Sequence, residues 1–150
     1  MRVIRDDRGE VIIQEADLIT QMFISRSYNA FTFRGMHYQT DPEQIKTIKV
    51  VQGLLIDFLY NLKTKEVQVY ELHCKSELLN VPKGWAHGFL TLEPYTIMAY
   101  TMLGTYNPDT YTSIPWYSIP EVQQEVLKHC PAEQITISSK DNQATLLRKY

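Results

Sequence analysis

Between Thr47 and Leu103 the chain is written almost entirely in short runs of β-branched and aromatic residues that alternate with period two. The runs are Thr47–Gln52, Leu54–Leu62, Val67–Cys74, Glu77–Pro82, Gly88–Leu92 and Thr96–Leu103. Turn chemistry separates them: Lys63-Thr64-Lys65 reads as a hairpin turn, Pro82-Lys83-Gly84 as a tight one and Asn107-Pro108-Asp109 as another. Many short strands at regular spacing predict an all-β sandwich or barrel of the jelly-roll kind.

One segment breaks the pattern. Pro120–His129 carries a proline at a plausible first helical position, acidic residues early and cations late, which predicts a single short C-terminal helix stopped by Pro131. Ile135–Ser138 then returns to strand. The chain of 150 residues is long enough for one domain, 1–150, that buries roughly 70% of its unfolded surface, and too short for two comfortable ones.

Several function classes drop out on composition. A formal net charge of -2 with mixed signs offers no field for nucleic acid or an anionic membrane, so an anionic ligand must be held by a few placed cations. The absence of any apolar run near membrane-spanning length, and of a signal-peptide core after Met1, points to a cytoplasmic protein. Cys74 and Cys130 lie far apart with no C-x-x-C spacing, which reads as free thiols rather than a disulfide or a zinc site.

The chemistry concentrates in Arg34-Gly35-Met36-His37-Tyr38-Gln39 and the following run Ile45–Gly53. If these are neighbouring strands, His37 and Lys46 can face one cavity. A carbon acid next to a ketone loses its proton only when a base is close and a cation or hydrogen-bond donor stabilises the enolate oxygen. His37 suits the base, since an imidazole can be neutral and basic near pH 7, and Lys46 suits the oxyanion partner. Each also has a plainer reading: a satisfied structural histidine, and a solvated lysine on a strand face. His87 follows the turn Pro82-x-Gly84-x-x-His87, as the last histidine of a metal-binding jelly roll would, but the first half of such a site would need an H-x-H where the chain has His37-Tyr38-Gln39.

R-G-x-H-Y-Q, then the lysine-led run ending Val50-Val51-Gln52-Gly53, then Pro82-Lys83-Gly84-Trp85-Ala86-His87-Gly88-Phe89, and later Tyr100, fall in one order from about Asp6 to Asp141. This pattern resembles the dTDP-4-dehydrorhamnose 3,5-epimerase family. The resemblance implies a cupin-like jelly roll (double-stranded β-helix) and an isomerase without metal or redox cofactor. Its substrate is a nucleotide-linked 4-keto-6-deoxyhexose, inverted at C3, C5 or both, in deoxysugar and cell-surface polysaccharide (lipopolysaccharide, O-antigen) biosynthesis. It also implies a homodimer. The catalytic set it carries onto this sequence is His37 as base, Asp141 of Ser138-Ser139-Lys140-Asp141 as its partner, Tyr100 as the acid on the opposite sugar face, and Lys46. The substrate-binding set is Arg8, Arg34, His87, Gln39, Tyr106 as a nucleobase platform, and Lys140 near the diphosphate; a guanidinium fork suits such a diphosphate.

The sequence departs from the family at other positions. Glu10-Val11-Ile12-Ile13 stands where two aromatics and a glutamate are usual, Gln21-Met22-Phe23 replaces Q-x-N, Tyr111 replaces an acidic residue after the Tyr-Asn-Pro turn, and Asn61 replaces a strand aspartate. The leading strands are expected to be absent or shortened. The rival readings are a 3,4-ketoisomerase of the same sugars, which would carry two neighbouring histidines in place of His37-Tyr38-Gln39, and a non-catalytic sugar-nucleotide-binding jelly roll.

Overall fold

The computed structural model describes residues 2–6, 9–13, 21–138 and 140–141. In chain order its strands are β1 (Arg2–Asp6), β2 (Gly9–Ile13), β3 (Gln21–Ser27), β4 (Thr32–Gln39), β5 (Ile45–Gln52) and β6 (Leu54–Asn61). They continue with β7 (Val67–His73), β8 (Leu79–Val81), β9 (Trp85–Thr91), β10 (Thr96–Leu103), β11 (Tyr111–Ser113), the helix α1 (Pro120–His129) and β12 (Thr136–Ile137). The helix and β10 coincide with the expected spans, the strands expected from Thr47 to Leu92 differ only at their ends, and β11, between β10 and the helix, was not expected. The segment before β4 is richer in strand than expected: β1 and β2 pair as an antiparallel hairpin, and β3 joins a larger sheet.

Two sheets make the jelly roll. One has the order β3-β10-β5-β8, the other β11-β4-β9-β6-β7 with β12 added along β4. Alternation decides what each face carries. On β6, Leu55 and Leu59 turn toward the four-stranded sheet and join Ile48, Val50, Val81, Phe89 and Met98 in a core between the sheets. Ile56 and Phe58 turn the other way, joining Phe33, Met36, Leu90 and Trp116 under Val122 and Val126 of the helix. The helix thus covers the outer face of the larger sheet, as its two buried valines at i and i+4 require.

His37 and Lys46 do share a cavity, but not as neighbours in one sheet. β4 belongs to the larger sheet and β5 to the smaller, and the chain crosses between them at Thr40–Gln44. The two side chains face each other across the interior.

β4 departs from simple alternation at one point. Arg34 pairs with Phe89 and His37 with His87, with the register broken between them. Strict period two would put Arg34 and His37 on opposite faces; the irregularity puts both on the inner one. Gly35 makes this possible. Its φ is +118°, and a Cβ there would lie 2.6 Å from Gly88 Cα and 2.7 Å from the His87 carbonyl oxygen.

Candidate active site

The open end of the sandwich is a cleft of about 710 Å³ whose walls come from both sheets. Arg34 and His37 of β4, His87 of β9 and Tyr111 of β11 stand on one side; Phe23 of β3, Lys46 of β5 and Tyr100 of β10 stand on the other. The segment after β12 closes the end with Lys140 and Asp141.

A histidine–carboxylate pair lies at the centre. His37 Nε2 is 2.6 Å from Asp141 Oδ1, across 104 positions of sequence. Two strands bring it about on one edge of β4: β12 runs parallel to its first residues, Thr136 beside Thr32, while β11 runs antiparallel to its last, Ser113 beside His37. Asp141 also accepts from the Gly35 amide at 3.3 Å and the Ser113 hydroxyl at 3.1 Å. Burial alone would raise this carboxyl, yet its partners His37, Gly35 and Ser113 hold it below the ordinary carboxylate range. A fixed carboxylate on Nε2 selects the tautomer protonated there and leaves Nδ1 with the lone pair a base needs.

A second histidine–carboxylate pair lies deeper. His87 Nε2 sits 2.8 Å from Asp57 Oδ2. Asp57 is fully buried, and its other oxygen has no hydrogen-bond partner among the described residues. Burial raises its carboxyl, with His87 and Lys46 pulling it back down. Lys46 is affected in the opposite sense: burial brings its ammonium to about 8 from 10.5, against the attraction of Asp57. Asp57 was missed in the sequence, although a lone carboxylate inside Leu54-Leu55-Ile56-Asp57-Phe58-Leu59 is the kind of residue that must be paired if the strand is buried.

Tyr100 faces His37 from the other sheet. Burial raises its phenol while Arg34 lowers it, and its ring stacks on Phe23 with centroids 4.9 Å apart. Tyr111 lies beside the central pair, its ring 5.5 Å from His37, with the Lys140 ammonium 5.1 Å from its centroid. Burial and the neighbouring Tyr100, Asp141 and Tyr106 push the Tyr111 phenol upward, so a neutral ring stands where the resemblance leads one to expect a carboxylate after the Tyr-Asn-Pro turn.

Two expected binding residues sit elsewhere. Gln39 is buried away from the main cleft, and its amide is spent on the loops: Nε2 donates to the Pro42 and Thr105 carbonyls and Oε1 accepts from the Asn107 amide. It anchors the β10–β11 connection and lines a small second cavity with His37 and Lys46. Tyr106 is exposed and packs edge-on against Tyr111, behind the ring that lines the cleft. Asn61, in place of a family aspartate, accepts from the Lys63 and Thr64 amides and holds the β6–β7 turn. Arg8 lies outside the described residues. Arg26 borders the cleft, and its carbonyl accepts from Arg34 Nη2 at 3.1 Å.

Comparison with known proteins gives a consistent result. The sequence profile described as dTDP-4-dehydrorhamnose 3,5-epimerase matches residues 3–149. A curated protein of that description from Methanothermobacter thermautotrophicus is 31% identical over 90 residues, 55% of this chain and 48% of its own length. The chain spans about half the length of the curated relatives it matches. Among solved structures, the dTDP-4-dehydrorhamnose 3,5-epimerase of Bacillus anthracis, with TDP and pyrophosphate bound, is 31% identical, with a TM-score of 0.76 over 93% of this chain and 87% of that one. The protein of the same description from Sulfolobus tokodaii is 27% identical, with a TM-score of 0.76 over 94% and 84%.

Proposed function

Because the chain belongs to the dTDP-4-dehydrorhamnose 3,5-epimerase family, we propose that it is an isomerase that epimerises a nucleotide-linked 4-keto-6-deoxyhexose at C3, C5 or both. The observation that carries this reading is the opposition of the His37–Asp141 pair and Tyr100 across one cleft that also holds Lys46. His37 takes the proton from the carbon beside the ketone, and Asp141 orients the imidazole and stabilises its cation. The Lys46 ammonium, paired at distance with Asp57, stabilises the enolate oxygen. Tyr100 returns a proton to the opposite face, which inverts the centre.

Arg34 and Lys140 supply cations for the diphosphate, as the TDP-bound relative encourages, and Arg8 belongs to the same set by its place in the motif. The reading needs no metal and no redox cofactor, since proton transfer and enolate stabilisation are both supplied by side chains. Residues 1–150 act as one unit. A nucleotide-activated substrate puts the protein in the cytoplasm, within deoxysugar and cell-surface polysaccharide synthesis; no helix among the described residues is long and apolar enough to cross a membrane. A homodimer is supported by the outer side of β3, where Met22 and Ile24 are 70% and 62% exposed.

The test is incubation with thymidine-diphosphate-linked 4-keto-6-deoxyhexoses in deuterium oxide, reading C3 and C5 by NMR. Wild type exchanges and inverts, His37→Ala does neither, and Asp141→Asn exchanges roughly two to four orders of magnitude more slowly with its fold intact. Wild-type exchange in folded His37→Ala would remove the assignment of the base.

A further inference from the structure

We infer that Phe23 is the positioning residue for Tyr100, so that in this chain an aromatic stack sets how efficiently the enolate is protonated on the face that inverts. The inference rests on Tyr100 being the acid.

Four observations meet at this pair. Phe23 and Tyr100 are directly opposed in the antiparallel register of β3 and β10. Their rings lie nearly parallel, 10° apart in plane with centroids at 4.9 Å. Both side chains line the cleft. On its other side Tyr100 is opposed by Ile48, which is 1% exposed, and its ring packs on the core between the sheets. Tyr100 is therefore clamped between a rigid core and one partner ring.

The partner matters because of where it stands. β3 is an edge strand of its sheet. Without the Phe23 ring, the space on that side of Tyr100 opens toward the cleft, and the phenol gains rotamers that carry its hydroxyl away from a carbon held against His37. The family pattern has an amide at this position, and an amide cannot cover an aromatic face in the same way. Proton donation depends steeply on donor placement, so lost rotational restriction is read directly in the protonation step. Proton removal by His37, which is anchored on the opposite sheet by Asp141, is left untouched.

The consequence separates two rates. An enolate that Tyr100 fails to protonate is returned a deuteron by the imidazole on the original face, giving labelled but uninverted substrate. The proton leaves carbon for His37, exchanges with solvent and returns as deuterium, so charge and atoms balance.

The experiment measures, in deuterium oxide with a thymidine-diphosphate-linked 4-keto-6-deoxyhexose, the ratio of inverted product to labelled, uninverted substrate for wild type, Phe23→Leu, Phe23→Met, Phe23→Tyr and Tyr100→Phe. Both ring-less variants should lower the ratio roughly two- to tenfold, the range of an aromatic pair, while total label uptake stays near wild type. Phe23→Tyr, which keeps the ring, should restore it. Tyr100→Phe should collapse the ratio further. If Tyr100→Phe collapses the ratio but neither ring-less variant lowers it, Phe23 has no positioning role and the inference is overturned while the acid stands. A Tyr100→Phe ratio equal to wild type overturns the acid assignment and the inference with it. Circular dichroism separates loss of fold from loss of the ratio, and two ring-less variants of different shape keep the test decisive if one misfolds.

Discussion

Titrating Lys46 should shut down the reaction on the alkaline side well before an ordinary lysine would. Burial brings its ammonium to about 8, and Asp57 is the group that keeps it from falling lower. At pH 7 roughly nine in ten Lys46 side chains then carry the proton. If the charged form stabilises the enolate, kcat/KM, which reports the free enzyme, should fall about tenfold per pH unit above about pH 8, after subtraction of the uncatalysed rate. Lys46→Arg should abolish that limb, at whatever level of activity it retains, because a guanidinium stays charged. Asp57→Asn should move the limb to lower pH, since it removes the attraction that raises Lys46.

Stability should move the other way over the same window. The folded state holds the Lys46 proton less tightly than the unfolded chain, so between about 8 and 10.5 the unfolded state binds more protons and stability rises with pH. The cost of the buried charge is about 3 kcal/mol, fully present below about pH 8 and gone above the ordinary lysine range. Comparing urea midpoints of wild type and Lys46→Met across pH isolates it. A kcat/KM that stays level to about pH 9.5, or a limb that Asp57→Asn leaves in place, would refute the assignment of Lys46 as the enolate's cation.

Three further outcomes are expected. Gly35→Ala should lose about 2–4 kcal/mol in urea unfolding, because its Cβ meets Gly88 and His87 backbone at a positive φ; Gly84→Ala, also at positive φ but with no atom within 4 Å, should lose about 1 kcal/mol. Thymidine diphosphate at a hundred times its Kd should stabilise the protein by about 2.7 kcal/mol in thermal melts, a free monosaccharide much less, and Lys140→Ala with Arg34→Ala should erase most of the difference. Protection by free sugars alone would favour a sugar-binding module over an epimerase. Replacing Met22 and Ile24 with lysine should convert a dimer to a monomer in light scattering at unchanged circular dichroism, whereas a wild-type monomer would remove the dimer reading.

Much of this molecule is determined by local sequence. Period-two runs from Thr47 to Leu103 could bury one face only as strands, and the Pro120 start with cations at the far end left the helix no other bounds. The pairing of His37 with Asp141 was likewise legible, though only through the order of motifs. What the tertiary structure decided are the facts that depend on which atoms lie across from one another. Arg34 and His37 share a face because the β4 register breaks at Gly35, a shift visible only against β9. Lys46 shares a cleft with His37 because the chain changes sheets after Gln39, and Asp57 is tied to His87 and Lys46 because β6 buries it beside them. Gln39 and Tyr106 carried the right chemistry in the right motif, but loop carbonyls claimed one and Tyr111 stands in front of the other. Strand periodicity is written in neighbours two residues apart, whereas a cleft is made by residues a hundred positions apart whose approach is set by packing.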